Sequence, residues 1–115
     1  MKEIESSELR LGNWVLLDWE NTYRRVNLNT LCYITRSEKL GKKHPFKPIP
    51  LTEDMLLKCG FEKVREYFQI DWFVIYEDKK GYYAHINCGN NYINNLHQLQ
   101  NLYFALTNEE LTITL

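Results

Sequence analysis

The chain has 115 residues, 44% of them hydrophobic, with three tryptophans, eight tyrosines and five phenylalanines. That composition supplies a folded core and excludes a disordered polypeptide. A formal net charge of -1 excludes a global field that would steer nucleic acid or an anionic membrane, leaving local patches as the only electrostatic route to such partners.

The length indicates one domain over residues 1–115, near the commonest domain size and able to fold without metal or disulfide. Cys32, Cys59 and Cys88 are odd in number and contain no CxxC pair, which argues against a zinc site and for free thiols in a reducing compartment. Residues 1–8 are polar and acidic, lack the apolar core of a signal peptide and are expected to be flexible. No apolar run approaches the roughly 18 to 20 residues of a spanning helix, so the expected location is cytoplasmic, without membrane contact.

In chain order, Leu9–Asn13 is a turn leading into Trp14–Trp19, an apolar run of strand formers. Glu20–Thr22 supplies a turn, Tyr23–Leu28 a return strand and Leu31–Thr35 a third. Together they predict an antiparallel meander, with a small half-barrel as one way to curl it. Residues 36–50 contain Gly41, Pro45, Pro48 and Pro50 and read as a long basic loop. Thr52 is placed to cap a short helix over Glu53–Cys59, with Gly60 ending it and Phe61 folding back on Leu56.

From Val64 the texture is aromatic and extended. Tyr67–Ile70, Trp72–Tyr76 and Tyr82–Asn87 predict strands, the last two forming a hairpin through Glu77–Gly81. Cys88–Asn91 reads as a turn and Tyr92–Ile93 as a bridge. Leu96, Leu99, Leu102, Tyr103 and Leu106 then recur at helical spacing. Asn95 caps that helix, Gln98 reaches back to the Asn95 amide, and Asn108 takes the left-handed position at its end. Leu111–Leu115 alternates like a final strand. The resulting fold class is α+β: an N-terminal meander, a short helix, a hairpin, and an amphipathic C-terminal helix laid on the sheet.

Three blocks carry a resemblance: Lys47-Pro-Ile-Pro-Leu-Thr-Glu53, Gly60-Phe-Glu62, and His97-Gln-Leu-Gln-Asn-Leu-Tyr-Phe-Ala-Leu-Thr107 with Glu109-Glu-Leu111. With the opening Leu9-Arg-Leu-Gly-Asn-Trp-Val15, they resemble a family of small proteins common in gut-bacterial genomes and their phages and prophages. The family has glycine where this chain has Asn108, which suits a left-handed cap. It has no established activity, so the resemblance implies a mobile-element setting and no catalytic residues.

The candidate chemistry is sparse. His44, His85 and His97 stand outside any HxH or HExxH spacing, so no metal or cofactor is expected. His97 shares a helical face with Asn101 and Phe104, at i+4 and i+7, where the three can converge on a partner. In the competing reading, His97 and the amides of Gln100 and Asn101 satisfy strand ends beneath the helix. No GxSxG turn, triad block or phosphate loop is present, and an enzyme would need His97 to meet Cys88 or a carboxylate. Trp72, Phe73, Tyr76, Tyr82 and Tyr83 cannot all face inward on alternating strands, so some mark an outward contact surface.

The function expected on this basis is a non-catalytic binding or adaptor protein of a phage or other mobile element, with His97, Asn101, Phe104 and Tyr83 in the contact surface. Its partner would be another protein or a second copy of the chain. The alternative is nucleic-acid or nucleotide binding through Arg36, Lys39, Lys42, Lys43 and Lys47, opposed within that stretch only by Glu38, with Tyr33, Phe46 and Trp19 offering stacking surfaces.

Overall fold

A computed structural model describes residues 4–86 and 89–115. Among these residues the architecture is α+β, with antiparallel sheets of three and five strands and no closed barrel. The chain divides into two compact units, one ending at Ile49 and the other starting at Pro50, a finer division than the single domain its length suggests.

In the first unit, β1 (Trp14–Leu17) and β2 (Thr22–Arg25) form a hairpin. Asn21 sits at its tip with φ 52°, a left-handed position that Asn tolerates. The turn before β1 is built by Asn13. Its side chain accepts from the Arg10 amide at 2.6 Å, and its carbonyl accepts from the Val26 amide at 2.7 Å.

The third strand of this sheet is β3 (Phe46–Lys47), which pairs with β1 on the side opposite β2. The third strand expected over Leu31–Thr35 is instead part of α1 (Leu28–Lys39). Local bonds explain the difference. The Asn27 side chain accepts from the Thr30 amide at 3.0 Å while Thr30 Oγ accepts from the Asn27 amide at 3.3 Å, a capping box with threonine in the third position. At the other end Gly41, with φ 64°, donates to the Glu38 carbonyl and Lys42 donates to the Ser37 carbonyl. That pair of bonds is the Schellman arrangement, which satisfies carbonyls left open by the last turn.

The helix also shortens the expected basic loop, since Arg36 and Lys39 lie in its last turn, where cations complement the helix dipole. Nor is all of the acidic N-terminal stretch a loose lead. Ile4 is buried against Leu9, Val15, Val26 and Ile34, and Ser6–Glu8 forms one 3-10 turn.

In the second unit, α2 (Glu53–Lys58) matches its predicted caps. Thr52 Oγ accepts from the Met55 amide at 3.1 Å, and Gly60, with φ 87°, lets Phe61 donate to the Leu56 carbonyl at 3.1 Å. Five strands follow as one antiparallel meander: β4 (Glu62–Val64), β5 (Tyr67–Ile70), β6 (Phe73–Asp78), β7 (Gly81–Ile86) and β8 (Gly89–Ile93). The single hairpin predicted from the aromatic runs is the centre of this sheet. β8 replaces most of the turn predicted at Cys88–Asn91, of which Cys88 lies outside the described residues, as does Asn87 at the predicted end of β7.

The C-terminal helix is α3 (Leu96–Thr107), with the Asn95 side chain accepting from the Gln98 amide at 2.9 Å and Asn108 left-handed at φ 60°. Gln98 reaches back one residue further than predicted, to the Asn94 amide at 2.9 Å.

One face of the five-stranded sheet is interior. Phe68, Phe73, Ile75, Ala84 and Ile93 alternate onto it and are buried. Phe73 stacks edge-on against Tyr103 of α3 at 5.3 Å and lies 6.0 Å from Phe61. The buried stripe of α3 consists of Leu96, His97, Leu99, Gln100 and Tyr103. It keeps Leu96, Leu99 and Tyr103 of the predicted stripe and takes His97 and Gln100 in place of Leu102 and Leu106, the latter exposed. The expected last strand is absent: residues 109–115 are irregular. Leu111 is buried, and the Thr114 amide donates to the Lys58 carbonyl at 2.9 Å. Among the described residues no helix is long and apolar enough to cross a membrane.

Candidate functional site

Alternation along a strand sends every second side chain to one face, and register decides which side chains meet across strands. In the five-stranded sheet the register aligns Tyr67 with Tyr76, Tyr76 with Tyr83, and Tyr83 with Tyr92. Four tyrosines therefore run in one row across β5, β6, β7 and β8, on the face opposite Phe68 and Ile75. Their ring centroids are 5.9, 5.5 and 5.5 Å apart. The central pair is stacked at 25°, and the two outer pairs are tilted at 52° and 53°.

The face around this row is accessible. Tyr76, Asp78, His85 and Asn90 are exposed, and Val64, Tyr67, Gln69, Val74, Tyr83 and Tyr92 are half-buried. The strand residues on it carry two carboxylates, Glu62 and Asp78, and no lysine or arginine. Asp78 is held below the usual carboxylate range, first by the hydrogen bond that the Tyr92 hydroxyl donates to it. The same bond holds the Tyr92 hydroxyl above the usual phenol value. His85 Nδ1 lies 2.9 Å from Asn90 Oδ1 across the β7–β8 pair.

Of the predicted contact residues, Tyr83 is central to the row. Asn101 adjoins the row's end, lining a shallow hollow with Asn90, Tyr92, Gln98 and Leu102. Phe104 is half-buried. His97 is only 1% exposed, so its side chain belongs to the interior and the proposed convergence of His97, Asn101 and Phe104 on a partner does not form. Gln100, also 1% exposed, has the buried placement of the packing alternative. Cys88, the candidate partner of His97 in a catalytic reading, lies outside the described residues.

Tyr67 and Tyr92 are the members that sequence reasoning missed. Their signal is symmetry in the sequence: Tyr67 and Tyr76 are equidistant from Asp71/Trp72, and Tyr83 and Tyr92 from Asn87/Cys88. Tyrosines mirrored about successive turns meet in an antiparallel meander.

The five basic residues of the alternative site are spread along α1, the loop after it and β3. Arg36 and Lys39 are on α1, Lys42 and Lys43 in the following loop, and Lys47 on β3. Lys42 and Lys43 line one hollow with Ile4, Glu38 and His44, whereas Arg36, Lys39 and Lys47 are not in its lining. Tyr33 and Phe46 do meet, edge-on at 6.0 Å, whereas Trp19 projects from the β1–β2 tip at 75% exposure. His44 is buried, its Nε2 donating to the Ile4 carbonyl at 2.9 Å and its Nδ1 accepting from the Phe46 amide at 3.2 Å.

Glu38, in that hollow, accepts from Ser6 Oγ at 2.6 Å and from the Ser6 amide at 3.0 Å. These bonds, the hydroxyl's first, hold its carboxyl below the ordinary 4.5. Because the folded value is depressed, the tie between the 3-10 turn and α1 is fully present above pH 4.5 and is lost as the pH falls through the folded value. In an acid titration followed by NMR, the Ser6 amide resonance is expected to move with the Glu38 carboxyl. Ser6→Ala is expected to bring that carboxyl back up toward 4.5; an unchanged titration would show that the bond is not formed in solution.

The cysteines divide by exposure. Cys32 is exposed, while Cys59 is buried, and burial pushes its thiol up to about 12. A protonated buried thiol is a poor nucleophile. In a Cys88→Ser variant a thiol reagent is expected to label Cys32 promptly and Cys59 only on unfolding. Rapid labelling of both would contradict the packing around α2.

Among the described residues no three of His, Cys, Asp and Glu gather in a way that could hold a metal ion. Comparison of the chain with protein-family models, with curated proteins and with solved structures gave no match.

Proposed function

We propose that this chain is a non-catalytic protein-binding module whose contact surface is the tyrosine row of β5–β8. The observation that carries the reading is the row itself: four aromatic side chains in register on an accessible face, backed by a packed core. Tyrosine is enriched at protein interfaces because it offers a large, rigid surface with few rotatable bonds and a hydroxyl that stays satisfied at the rim. Asn90, Asn101 and the Asp78 carboxylate supply polar groups beside it, as a contact rim requires. The likeness of the Lys47–Glu53, Gly60–Glu62 and His97–Leu111 blocks to small phage and prophage proteins supports a role inside a bacterial cell, in the cytoplasm, on behalf of a mobile element.

A row of cross-strand aromatics also stabilises the sheet that carries it, by roughly 0.2–1 kcal/mol per pair. Binding and stability therefore have to be read separately. Random peptides displayed on phage, selected on the wild-type protein, are expected to yield binders that lose at least about tenfold in affinity on Tyr83→Ala, the size of an interface hot spot. The variant's unfolding free energy should fall by only about 0.4–2 kcal/mol, the sum of its two cross-strand pairs. Binders indifferent to Tyr83 would remove the row from the account. Salt-sensitive oligonucleotide binding lost on changing Lys42 and Lys43 to Glu would move the functional surface to the first unit.

A further inference from the structure

We infer that the hollow between the β5–β6 turn and the C-terminal end of α3 binds a primary alkylammonium group, with Asp71, Glu109 and the Tyr103 hydroxyl around its nitrogen and Trp72 beside its chain. The site uses no member of the tyrosine row and goes beyond the contact surface proposed there. The hollow has a volume of about 280 Å³, and Trp72, Phe73, Tyr103 and Leu106 join the two carboxylates in its lining. Pockets for drug-sized molecules start at roughly 300 Å³, so this one suits a short chain with a single head group.

Charge selects the sign of the ligand. The lining has two carboxylates and no lysine or arginine. The last turn of α3 has no basic residue either, so the partial negative charge at that helix end has no cation of its own there. Separate segments bring the carboxylates to the hollow. Asp71 is in the two-residue turn that joins Ile70 to its partner Phe73, at φ 51°. Glu109 follows the left-handed Asn108 that ends the helix, and its amide donates to Thr107 Oγ at 3.1 Å.

A buried hydroxyl selects the head group. Tyr103 is only 8% exposed, yet among the described residues its hydroxyl has no hydrogen-bond partner. Buried polar groups are ordinarily satisfied, and this one lines the hollow. Burial raises the phenol above its usual value, and the charges of Glu109 and then Asp71 raise it further. Both carboxylates therefore act on the one oxygen. Two carboxylates and a hydroxyl offer three acceptors, matching the three donors of an ammonium. A metal ion fits less well, because among the described residues no three of His, Cys, Asp and Glu gather to hold one. The exposed Trp72 supplies the aromatic ring that attracts a cation best and against which an alkyl stem packs.

The test is an NMR titration of the full chain with n-butylammonium chloride, followed at the Trp72 indole and the Tyr103 ring. Both signals are expected to move along one saturation curve at millimolar concentration. Neither should move with n-butanol, or with sodium chloride at the same ionic strength. Asp71→Asn and Glu109→Gln together should weaken binding at least about tenfold. Asparagine tolerates the left-handed position of residue 71, so the turn is kept. Tyr103→Phe keeps the ring against Phe73, removes only the hydroxyl, and should weaken binding at least about threefold. Tighter binding of a blocked lysine than of putrescine would assign the amine to a protein side chain, and the reverse order to a free polyamine. Equal shifts with sodium chloride or with n-butylguanidinium, or undiminished binding in the double variant, would overturn the assignment. Absence of any shift would overturn it as well and leave the tyrosine row standing, since the two surfaces share no residue.

Discussion

Phe68→Ala is expected to destabilise the second unit by about 3–5 kcal/mol, the cost of removing a buried aromatic ring and leaving a cavity. Phe68 is 2% exposed, faces Ile75 across the β5–β6 pair and meets Tyr82 edge-on at 6.1 Å. Folded domains are stable by only about 5–15 kcal/mol, so the loss removes a large fraction of the total. The neighbouring residue supplies the control. Tyr67 points to the opposite face, and Tyr67→Ala is expected to cost about 2 kcal/mol or less, the sum of its two cross-strand pairs with Val64 and Tyr76. Urea denaturation of the two variants measures the contrast directly. Equal losses would contradict a sheet with one packed face and one open one, and the functional proposal with it.

The second large effect is expected at Ile34. This side chain is completely buried in the cluster of Ile4, Leu9, Val15 and Val26, and Ile34→Ala should cost about 2–5 kcal/mol in the first unit. Leu28, at 68% exposure on the first turn of the same helix, should tolerate alanine within about 0.5 kcal/mol. The pair also tests the secondary structure. In an alternating strand running from Tyr23 to Leu28, Leu28 would share the buried face of Val26, and its truncation would be costly. Similar losses at Leu28 and Ile34 would contradict the helix.

What was legible in the sequence was whatever local bonds decide. Thr52, Gly60, Asn95 and Asn108 each perform a capping task visible within a few residues, and α2 and α3 lie where those caps put them. The same kind of signal was present for α1, in Asn27 with Thr30 and in Gly41 after Leu40. There it competed with Thr30, Tyr33, Ile34 and Thr35, residues that favour strands. The caps and the burial of Ile34 prevailed. β8 was hidden for the opposite reason: Gly89, Asn90 and Asn91 look like a turn, yet they pair with His85 and its neighbours at an edge where β propensity matters less than register. Leu111–Leu115 shows the converse, since alternation alone makes no strand when the backbone bonds elsewhere, as Thr114 does to Lys58.

The candidate surface was half legible for the same physical reason. Alternation alone says that some of the aromatics of residues 72–83 must face outward, and Tyr83 is among them. Which tyrosines line up with it depends on hairpin register, a non-local property, so Tyr67 and Tyr92 were missed. His97 was misplaced because helical spacing identifies a shared face without saying which face is buried. The leucines at 102 and 106 suggested one stripe; the structure buries the stripe through His97 and Gln100 instead.

The central claim is that the row from Tyr67 to Tyr92 is a contact surface. Its most direct test is an NMR titration of the full chain with a displayed peptide selected on the wild-type protein, observing tyrosine ring signals. The account predicts that the signals of Tyr67, Tyr76, Tyr83 and Tyr92 shift together along one saturation curve, while Tyr103, buried on the other side of the sheet, stays still. Shifts confined to Tyr23 and Tyr33 in the first unit, or no shift in the four at saturating peptide, would contradict it.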